Sequence, residues 1–234
     1  MVGQLFTESG CDVEISKIVK LVRGSKEIDV YVEDNTVTPK TRILCECKFW
    51  KKAVPQEIVH SFRTVVSDFG AHHGFIITMV GFQSGCVEAI QNTNIELITF
   101  ELLQEIYFDK WISSIAAQYM RYADRLFPYW DYVGKMPKIK WSEKGFEHQQ
   151  LLYKAYAPLC SLGPGDDLMG FRRKFPIELP VVNAFFEKEN TFTINSYREY
   201  FDFCERNKDR SFWHFQLLFG EISANEYKEN VLNQ

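Results

Sequence analysis

The 234-residue sequence lacks a long apolar run. No uninterrupted apolar stretch approaches the roughly 20 residues that a membrane-spanning helix requires. The first residues, from Met1 to Gln4, have neither the positive charge nor the apolar centre of a secretory signal. We therefore expect a cytoplasmic protein with no membrane partner.

The cysteines also lack the spacing of a metal or redox motif. The six of them form no CxxC pair, and the close pair Cys45 and Cys47 stands near no histidine cluster. Zinc sites require such clusters of sulfur and imidazole ligands. Buried free thiols in a reducing compartment explain these cysteines best.

An excess of positive charge is absent too, since the formal net charge is −4 at pH 7. This balance argues against a protein that coats nucleic acid by bulk attraction. A local basic cluster nevertheless flanks one segment, and it consists of Lys40, Arg42, Lys48, Lys51 and Lys52. Such a cluster would offset phosphate charge beside Glu46.

What is present is ample material for a packed core, with 46% hydrophobic and 15% aromatic residues. The first part predicts three antiparallel strands at residues 13–22, 28–32 and 42–49. A helix from Pro55 to Gly70 follows. Two further strands, at 74–79 and 95–100, are separated by a helix at 83–91.

These elements predict an α/β fold. Strands that follow helices pair in parallel through right-handed crossovers, so the sheet should be mixed, with five strands and helices on its faces. Alternation along the second strand places Ile28, Val30 and Val32 on one face, with Asp29 and Tyr31 on the other.

The remainder of the chain is predicted to be mostly helical. A long helical pattern runs from residue 101 to about 122, and we place the domain boundary near Phe127-Pro128, giving domains at 1–127 and 128–234. Two capping boxes, Ser196-x-x-Glu199 and Ser223-x-x-Glu226, open further helices. Oligomerisation, sensing and DNA binding stay open as roles for the second domain.

One short stretch carries the chemistry of the first domain. Glu46 and Lys48 are two residues apart on a predicted strand, so both side chains point to the same face. If the strand that carries Asp29 pairs with this one, a second carboxylate joins them in a pocket suited to a hard divalent cation. By spacing alone the signal is weak, because an exposed salt-bridged strand gives the same pattern.

Five sequence blocks around this stretch are more specific. They are Glu27-Ile-Asp-Val, the segment from Leu44 to Val54, the segment from Phe62 to Thr78, Gly81-Phe-Gln-Ser-Gly-Cys-Val-Glu-Ala89, and Thr93-Asn-Ile95. In this order they resemble the catalytic domain of the Mrr-like restriction endonucleases, within the PD-(D/E)xK nuclease superfamily, over residues 5 to 105. The resemblance implies a restriction-endonuclease-like core.

The same resemblance implies the roles of individual residues. Asp29 and Glu46 would be metal ligands for Mg²⁺ or Mn²⁺, with the backbone carbonyl of Cys47 as a further ligand, and Lys48 would be the catalytic lysine. Family members also use an acid from a first helix and a glutamine near the lysine strand. Glu8 and Glu14 are the candidates for the acid, and Gln56 for the glutamine.

The expected function is therefore a metal-dependent endonuclease that cuts double-stranded DNA, in bacterial restriction or anti-phage defence. Because cleavage of both strands needs two active sites, we expect a homodimer or larger homo-oligomer. Two alternatives stay open. The enzyme would act on RNA or branched DNA, or the domain would be a catalytically silent nucleic-acid-binding or regulatory module.

Overall fold

The computed structural model describes residues 1–131, 143–161 and 173–233. The chain divides into two compact units, Met1–Ser114 and Ile115–Gln234. This division falls within a helix, earlier than the boundary predicted at Phe127. The later turns of that helix already pack in the second unit, where Tyr119 stacks on Phe201 with ring centroids 5.8 Å apart.

The first unit is built on one mixed sheet with strand order β1-β2-β3-β4-β5. The β1–β2 and β2–β3 pairs are antiparallel, and β3–β4 and β4–β5 are parallel. This confirms the predicted five-stranded sheet. The elements are α1 (Val2–Glu8), β1 (Asp12–Lys20), β2 (Ser25–Asp34), β3 (Thr41–Lys48), α2 (Gln56–Phe69), β4 (His73–Thr78), α3 (Cys86–Ala89), β5 (Ile95–Thr99) and α4 (Phe100–Leu126).

Helix α2 covers one face of the sheet. Its buried side chains recur at three and four residues, which places them on one stripe: Val59, Phe62, Val65 and Val66. They share a core cluster with Leu44 and Ile76 of the sheet. The helix ends where Gly70 adopts a left-handed conformation at φ 69°, as the sequence predicted.

The other face of the sheet is covered by α1 and the first part of α4. The ring of Tyr107 on α4 contacts Phe6 of α1 edge to face, with centroids 4.7 Å apart, and Phe75 of β4 at 6.5 Å. Val30 and Cys45 lie buried in the two central antiparallel strands. Both faces are therefore packed, which explains the nearly continuous apolar runs of β3 and β4.

The alternation predicted for β2 is wrong at one point. Tyr31 is only 4% exposed and belongs to the same core cluster as Ile28, although residues three apart on a regular strand face opposite sides. The register between β1 and β2 skips Asp29 and the residue opposite it, Ser16, whose φ is 54°. This left-handed residue interrupts the ladder, so the strict pattern fails at Asp29.

A buried ion pair ties α4 to the end of β2. Lys110 binds the Asp34 carboxylate, which also accepts hydrogen bonds from the backbone N–H (3.0 Å) and hydroxyl (2.6 Å) of Thr36. Burial by itself raises the pKa of Asp34, but the hydrogen bonds from Lys110 and Thr36 outweigh it, and the pKa lies below its ordinary value.

The second unit contains α5 (Glu143–Ala155), α6 (Ala157–Cys160), β6 (Ile177–Val182), β7 (Lys188–Ile194), α7 (Tyr197–Leu218) and α8 (Ala224–Leu232). Most of it is helical, as predicted. Ser223 and Glu226 form the complete capping box of α8, and Ser196 accepts from the Glu199 N–H at the start of α7. No helix in the described ranges is both long and apolar enough to cross a membrane.

The antiparallel hairpin of β6 and β7 was not predicted from the sequence. Pro180 stands within β6, and a proline lowers the strand signal because it cannot donate a ladder hydrogen bond. The turn uses Phe186 at φ 63°, a conformation that aromatic residues rarely adopt. Neither feature carries the Asn-Gly or Asp-Gly signature that marks a short hairpin.

His214 of α7 is fully buried in this unit. Its Nε2 lies 2.9 Å from the carbonyl oxygen of Asn183, which only accepts, so this nitrogen carries the proton. Its Nδ1 then accepts from the Tyr156 hydroxyl at 3.0 Å. Burial lowers the pKa of His214 to about 4. The ring is therefore neutral at pH 7.

We expect Asp34→Asn to lower the free energy of unfolding by about 1–3 kcal/mol at pH 7, because the charged carboxylate holds both Lys110 and Thr36. Since folding lowers the pKa of Asp34, its contribution is full above the ordinary carboxyl pKa and is lost as the pH falls through the folded value. Urea unfolding of the wild type and of Asp34→Asn, from pH 7 down through the folded pKa of Asp34, measures the difference in the free energy of unfolding. Glu14→Gln, which removes the partner of Lys17 in a surface pair, is the matched control. An equal loss for both variants contradicts the prediction.

A second expectation concerns His214 and acid. Because folding lowers its pKa, the unfolded chain binds more protons than the folded one between pH 6.5 and pH 4, so stability falls as the pH drops through this window. His214→Gln should melt at a lower temperature at pH 7 and show a smaller change of melting temperature between these pH values. A slope equal to that of the wild type would show that His214 is not the titrating group.

Candidate active site

The antiparallel pairing of β2 with β3 brings the three predicted residues together. Val30 pairs with Cys45, so the next level of the two strands holds Asp29 and Glu46, whose side chains lie on the same side. Lys48 follows two residues after Glu46, at the end of β3. The condition set by the sequence, that the Asp29 strand pairs with the Glu46 strand, is met.

Two hydrogen bonds fix the geometry of this group. The ammonium Nζ of Lys48 lies 2.5 Å from Oε1 of Glu46, and the backbone N–H of Cys47 donates to Oδ2 of Asp29 at 2.7 Å. Glu46 is buried, with 8% of its surface exposed, while Asp29 and Lys48 are half-buried. One amine and two carboxylates thus meet around Cys47.

The interrupted ladder explains why the Asp29 carboxylate is held there. Asp29 is paired with no residue in the backbone ladders that join β2 to β1 and β3. The N–H of Cys47 therefore donates to the Asp29 side chain and not to the backbone of β2. A half-buried N–H without a partner would be costly. The side chain of Asp29 therefore completes the hydrogen bonding of β3, and in doing so is oriented beside Glu46.

The electrostatic potential around Cys47 is negative. Burial, followed by the charges of Asp29 and Glu46, raises the pKa of the Cys47 thiol to about 12, and Lys48 offsets only part of this effect. The thiol is neutral at pH 7. A net negative pocket with oxygen donors favours a cation.

The residues fit a divalent metal ion. Asp29 and Glu46 each provide a carboxylate, and the carbonyl of Cys47 adds a neutral oxygen, which is the donor chemistry that Mg²⁺ prefers. Among the residues that the structure describes, no group of three or more His, Cys, Asp or Glu side chains could hold a metal. Two carboxylates are nevertheless sufficient for Mg²⁺, which keeps several of its waters.

The two candidates for a third acid have other partners. Glu8 on α1 accepts from the indole N–H of Trp111 at 2.7 Å and from Gln4 at 2.9 Å. Glu14 on β1 forms an exposed ion pair with Lys17 at 2.6 Å. Each of these carboxylates therefore has a partner outside the pair of Asp29 and Glu46.

Gln56 lies at the edge of the sheet where β3 and β4 end. Val54 bridges to Phe82 just before α2, which brings the start of this helix to that edge. The amide of Gln56 packs against Gly85, where an added methyl group would lie 3.1 Å from Oε1. Its contact is therefore with the turn before α3, and no bond joins it to Glu46 or Lys48.

The basic cluster of the sequence is divided by the structure. Arg42 bonds to the Gly70 carbonyl at 3.0 Å, at the opposite end of β3 from Lys48, roughly 20 Å away along the strand. Lys51 and Lys52 are exposed just beyond Lys48. Only this second part of the cluster can place positive charge near a phosphate bound at Glu46.

Two aromatic residues beside Lys48 were missed by the sequence reasoning. Phe49 is 49% exposed and Trp50 is 43% exposed, and the Trp50 ring centroid lies 5.5 Å from the Lys48 ammonium. Their rings add exposed apolar area next to the Lys48 ammonium. Their position directly after the acid-x-Lys stretch was the signal available in the sequence.

Comparison with known proteins gives a family match that lies within the first unit. Residues 1–107 match the family model of the Mrr catalytic domain, described as restriction endonuclease. No curated protein matches the chain. A solved protein of unknown function, AF1548, is 17% identical with a TM-score of 0.38, and the alignment covers 64% of this chain and 90% of that one. The MspJI restriction endonuclease, in complex with a 27-mer oligonucleotide, is 16% identical with a TM-score of 0.30, covering 49% of this chain and 26% of that one.

Proposed function

We propose that this chain, whose residues 1–107 match a restriction endonuclease family model, is a metal-dependent endonuclease that hydrolyses DNA phosphodiester bonds at Asp29, Glu46 and Lys48. The observation that carries the proposal is the convergence of these side chains around Cys47. Two carboxylates held beside one ammonium are the groups that metal-assisted phosphodiester hydrolysis requires.

Each residue has a distinct role in this proposal. Asp29, oriented by the Cys47 N–H, and Glu46, which is buried, would hold the cation together with the Cys47 carbonyl. When bound, Mg²⁺ or Mn²⁺ lowers the pKa of a coordinated water and polarises the phosphate. Lys48 is held by Glu46 at 2.5 Å, where its ammonium orients the attacking water or stabilises negative charge on the phosphate.

The surroundings of the site favour a nucleic acid backbone as substrate. Lys51 and Lys52 supply exposed positive charge next to Lys48, which offsets phosphate repulsion from the carboxylates. Phe49 and Trp50 offer apolar area at the same edge. Double-strand cleavage needs two such sites, so we infer a homodimer or larger assembly. A role in bacterial restriction or anti-phage defence, within the cytoplasm, accords with this activity.

The test is cleavage of supercoiled plasmid with and without Mg²⁺ or Mn²⁺. We expect nicked and linear DNA only with the metal, and we expect Lys48→Ala to slow cleavage by about 10²–10³-fold because it loses the charge at the scissile phosphate. Lys52→Ala is the comparison variant, since it removes an exposed lysine that supplies only general positive charge beside the site, and it should slow cleavage by less than about tenfold.

The outcomes separate the alternatives. Cleavage of RNA with DNA spared would overturn the DNA substrate and leave a nuclease. Absence of metal-dependent cutting on duplex DNA, branched DNA and RNA would contradict the enzyme proposal and favour a silent binding module. Equal losses in Lys48→Ala and Lys52→Ala would show that Lys48 acts only through general charge.

A second test concerns which acids bind the metal. We expect Asp29→Asn and Glu46→Gln to weaken Mn²⁺ binding by at least about tenfold in calorimetry, because each removes one of two charged ligands. Glu8→Gln and Glu14→Gln should bind Mn²⁺ as the wild type does, since their carboxylates have partners elsewhere. Weakened binding in Glu8→Gln or Glu14→Gln would add that acid to the site.

A further inference from the structure

A cavity of about 410 Å³ lies within the second unit, and neither the sequence patterns nor the proposed nuclease site accounts for it. Its volume falls in the roughly 300–1,000 Å³ range of small-molecule sites. The hairpin contributes Leu179, Val181 and Phe192, and α7 contributes Phe203, Arg206 and Arg210. Apolar side chains and two arginines thus line one space.

The α7 side of the cavity is one continuous helix face. Phe203, Arg206 and Arg210 are separated by three and four residues, which places them on the same side of the helix. Lys208 points elsewhere and is paired with Glu205 at 2.5 Å. Both arginines therefore line the cavity, while this lysine does not.

Arg210 brings a buried donor to this cavity. No Asp or Glu is among the described residues that line the cavity. Arg210 lies beside the phenols of Tyr156 and Tyr227, and its Nε is buried without a hydrogen-bond partner among the described residues. A buried guanidinium donor of this kind is satisfied by an anionic acceptor.

Phe192 of the hairpin and Phe203 of α7 provide an apolar surface beside these arginines. The rings of Phe192 and Phe203 lie 5.6 Å apart at an angle of 31°, and the Arg206 guanidinium carbon lies 5.8 Å from the Phe192 centroid. Phe192 is partly exposed, whereas Phe203 and Leu179 are buried. A planar group placed on Phe192 would have cationic nitrogen beside it.

We propose that this cavity binds a small organic anion with a planar apolar body. The anionic group meets Arg206 and Arg210, and the body lies against Phe192 and the apolar side chains of β6. Guanidinium groups bind carboxylate, sulfonate and phosphate oxygens through paired N–H donors, and the half-burial of Arg210 partly shields that contact from water. The site is independent of Asp29, Glu46 and Lys48.

Two dyes with the same ring system test the proposal on the full-length protein. The first is 8-anilinonaphthalene-1-sulfonate, and the second is N-phenyl-1-naphthylamine, which lacks the sulfonate. We expect a single saturable site in fluorescence and calorimetry, with the anionic dye bound at least about tenfold more tightly, as one charge-assisted contact provides. Equal affinity for both dyes overturns the proposal.

Variants assign the binding to the cavity. Arg206→Gln and Arg210→Gln should each reduce the preference for the sulfonate about tenfold, and Val181→Trp should block both dyes by filling the space. Lys228→Gln removes an exposed charge on α8 that does not line the cavity, and should bind as the wild type does.

Folding of each variant is checked by circular dichroism and melting temperature. Arg206 is exposed on the helix, so Arg206→Gln keeps the test decisive if Arg210→Gln fails to fold. An unchanged preference in a folded Arg206→Gln, or unchanged binding in a folded Val181→Trp, places the dye elsewhere and refutes the site. Because the readout is binding, its failure is distinct from any failure of DNA cleavage.

Discussion

The bond from the Cys47 N–H to the Asp29 carboxylate is the contact on which the first unit's chemistry depends. This bond joins β2 and β3 where their backbone pairing ends. The Asp29 side chain accepts a hydrogen bond that a backbone carbonyl accepts in a regular sheet. An aspartate in a regular ladder would have its backbone paired and its side chain free to rotate. At this interruption the Asp29 carboxylate is fixed on the strand next to Glu46. The hydrogen bonding of the sheet therefore orients the carboxylate.

The local irregularity has a cause one strand further out. Ser16 on β1 adopts φ 54°, and the register passes over both Ser16 and Asp29. Strain of this kind persists where surrounding packing determines it, and here Ile28 and Tyr31 are buried on either side of Asp29. The core therefore holds the interruption in place, and a polar site exists in a sheet whose strands β3 and β4 are largely buried.

Much of the first unit was predictable because its signals are periodic. The three- and four-residue spacing of α2, the stop at Gly70 and the apolar run of β4 each correspond to one observed element. Alternation failed at Asp29, between Ile28 and Tyr31, because a strand interruption leaves no mark in composition. Glu46 and Lys48 followed from the two-residue strand period, whereas the approach of Asp29 depended on pairing that only the fold, or the family resemblance, supplies.

The second unit shows the converse case. Pro180 weakens the strand signal of β6, so the sequence does not predict the hairpin. Without the hairpin, the spacing of Arg206 and Arg210 indicates only the charged, solvated face of a helix. What distinguishes them is the wall opposite, where Phe192 stands on the unpredicted strand β7. A charge on an exposed helix face is screened by water, but the same charge facing an apolar strand is partly desolvated and gains from an anion. The ability of these arginines to bind an anion therefore depends on β6 and β7, two strands that have only a weak signal in the sequence.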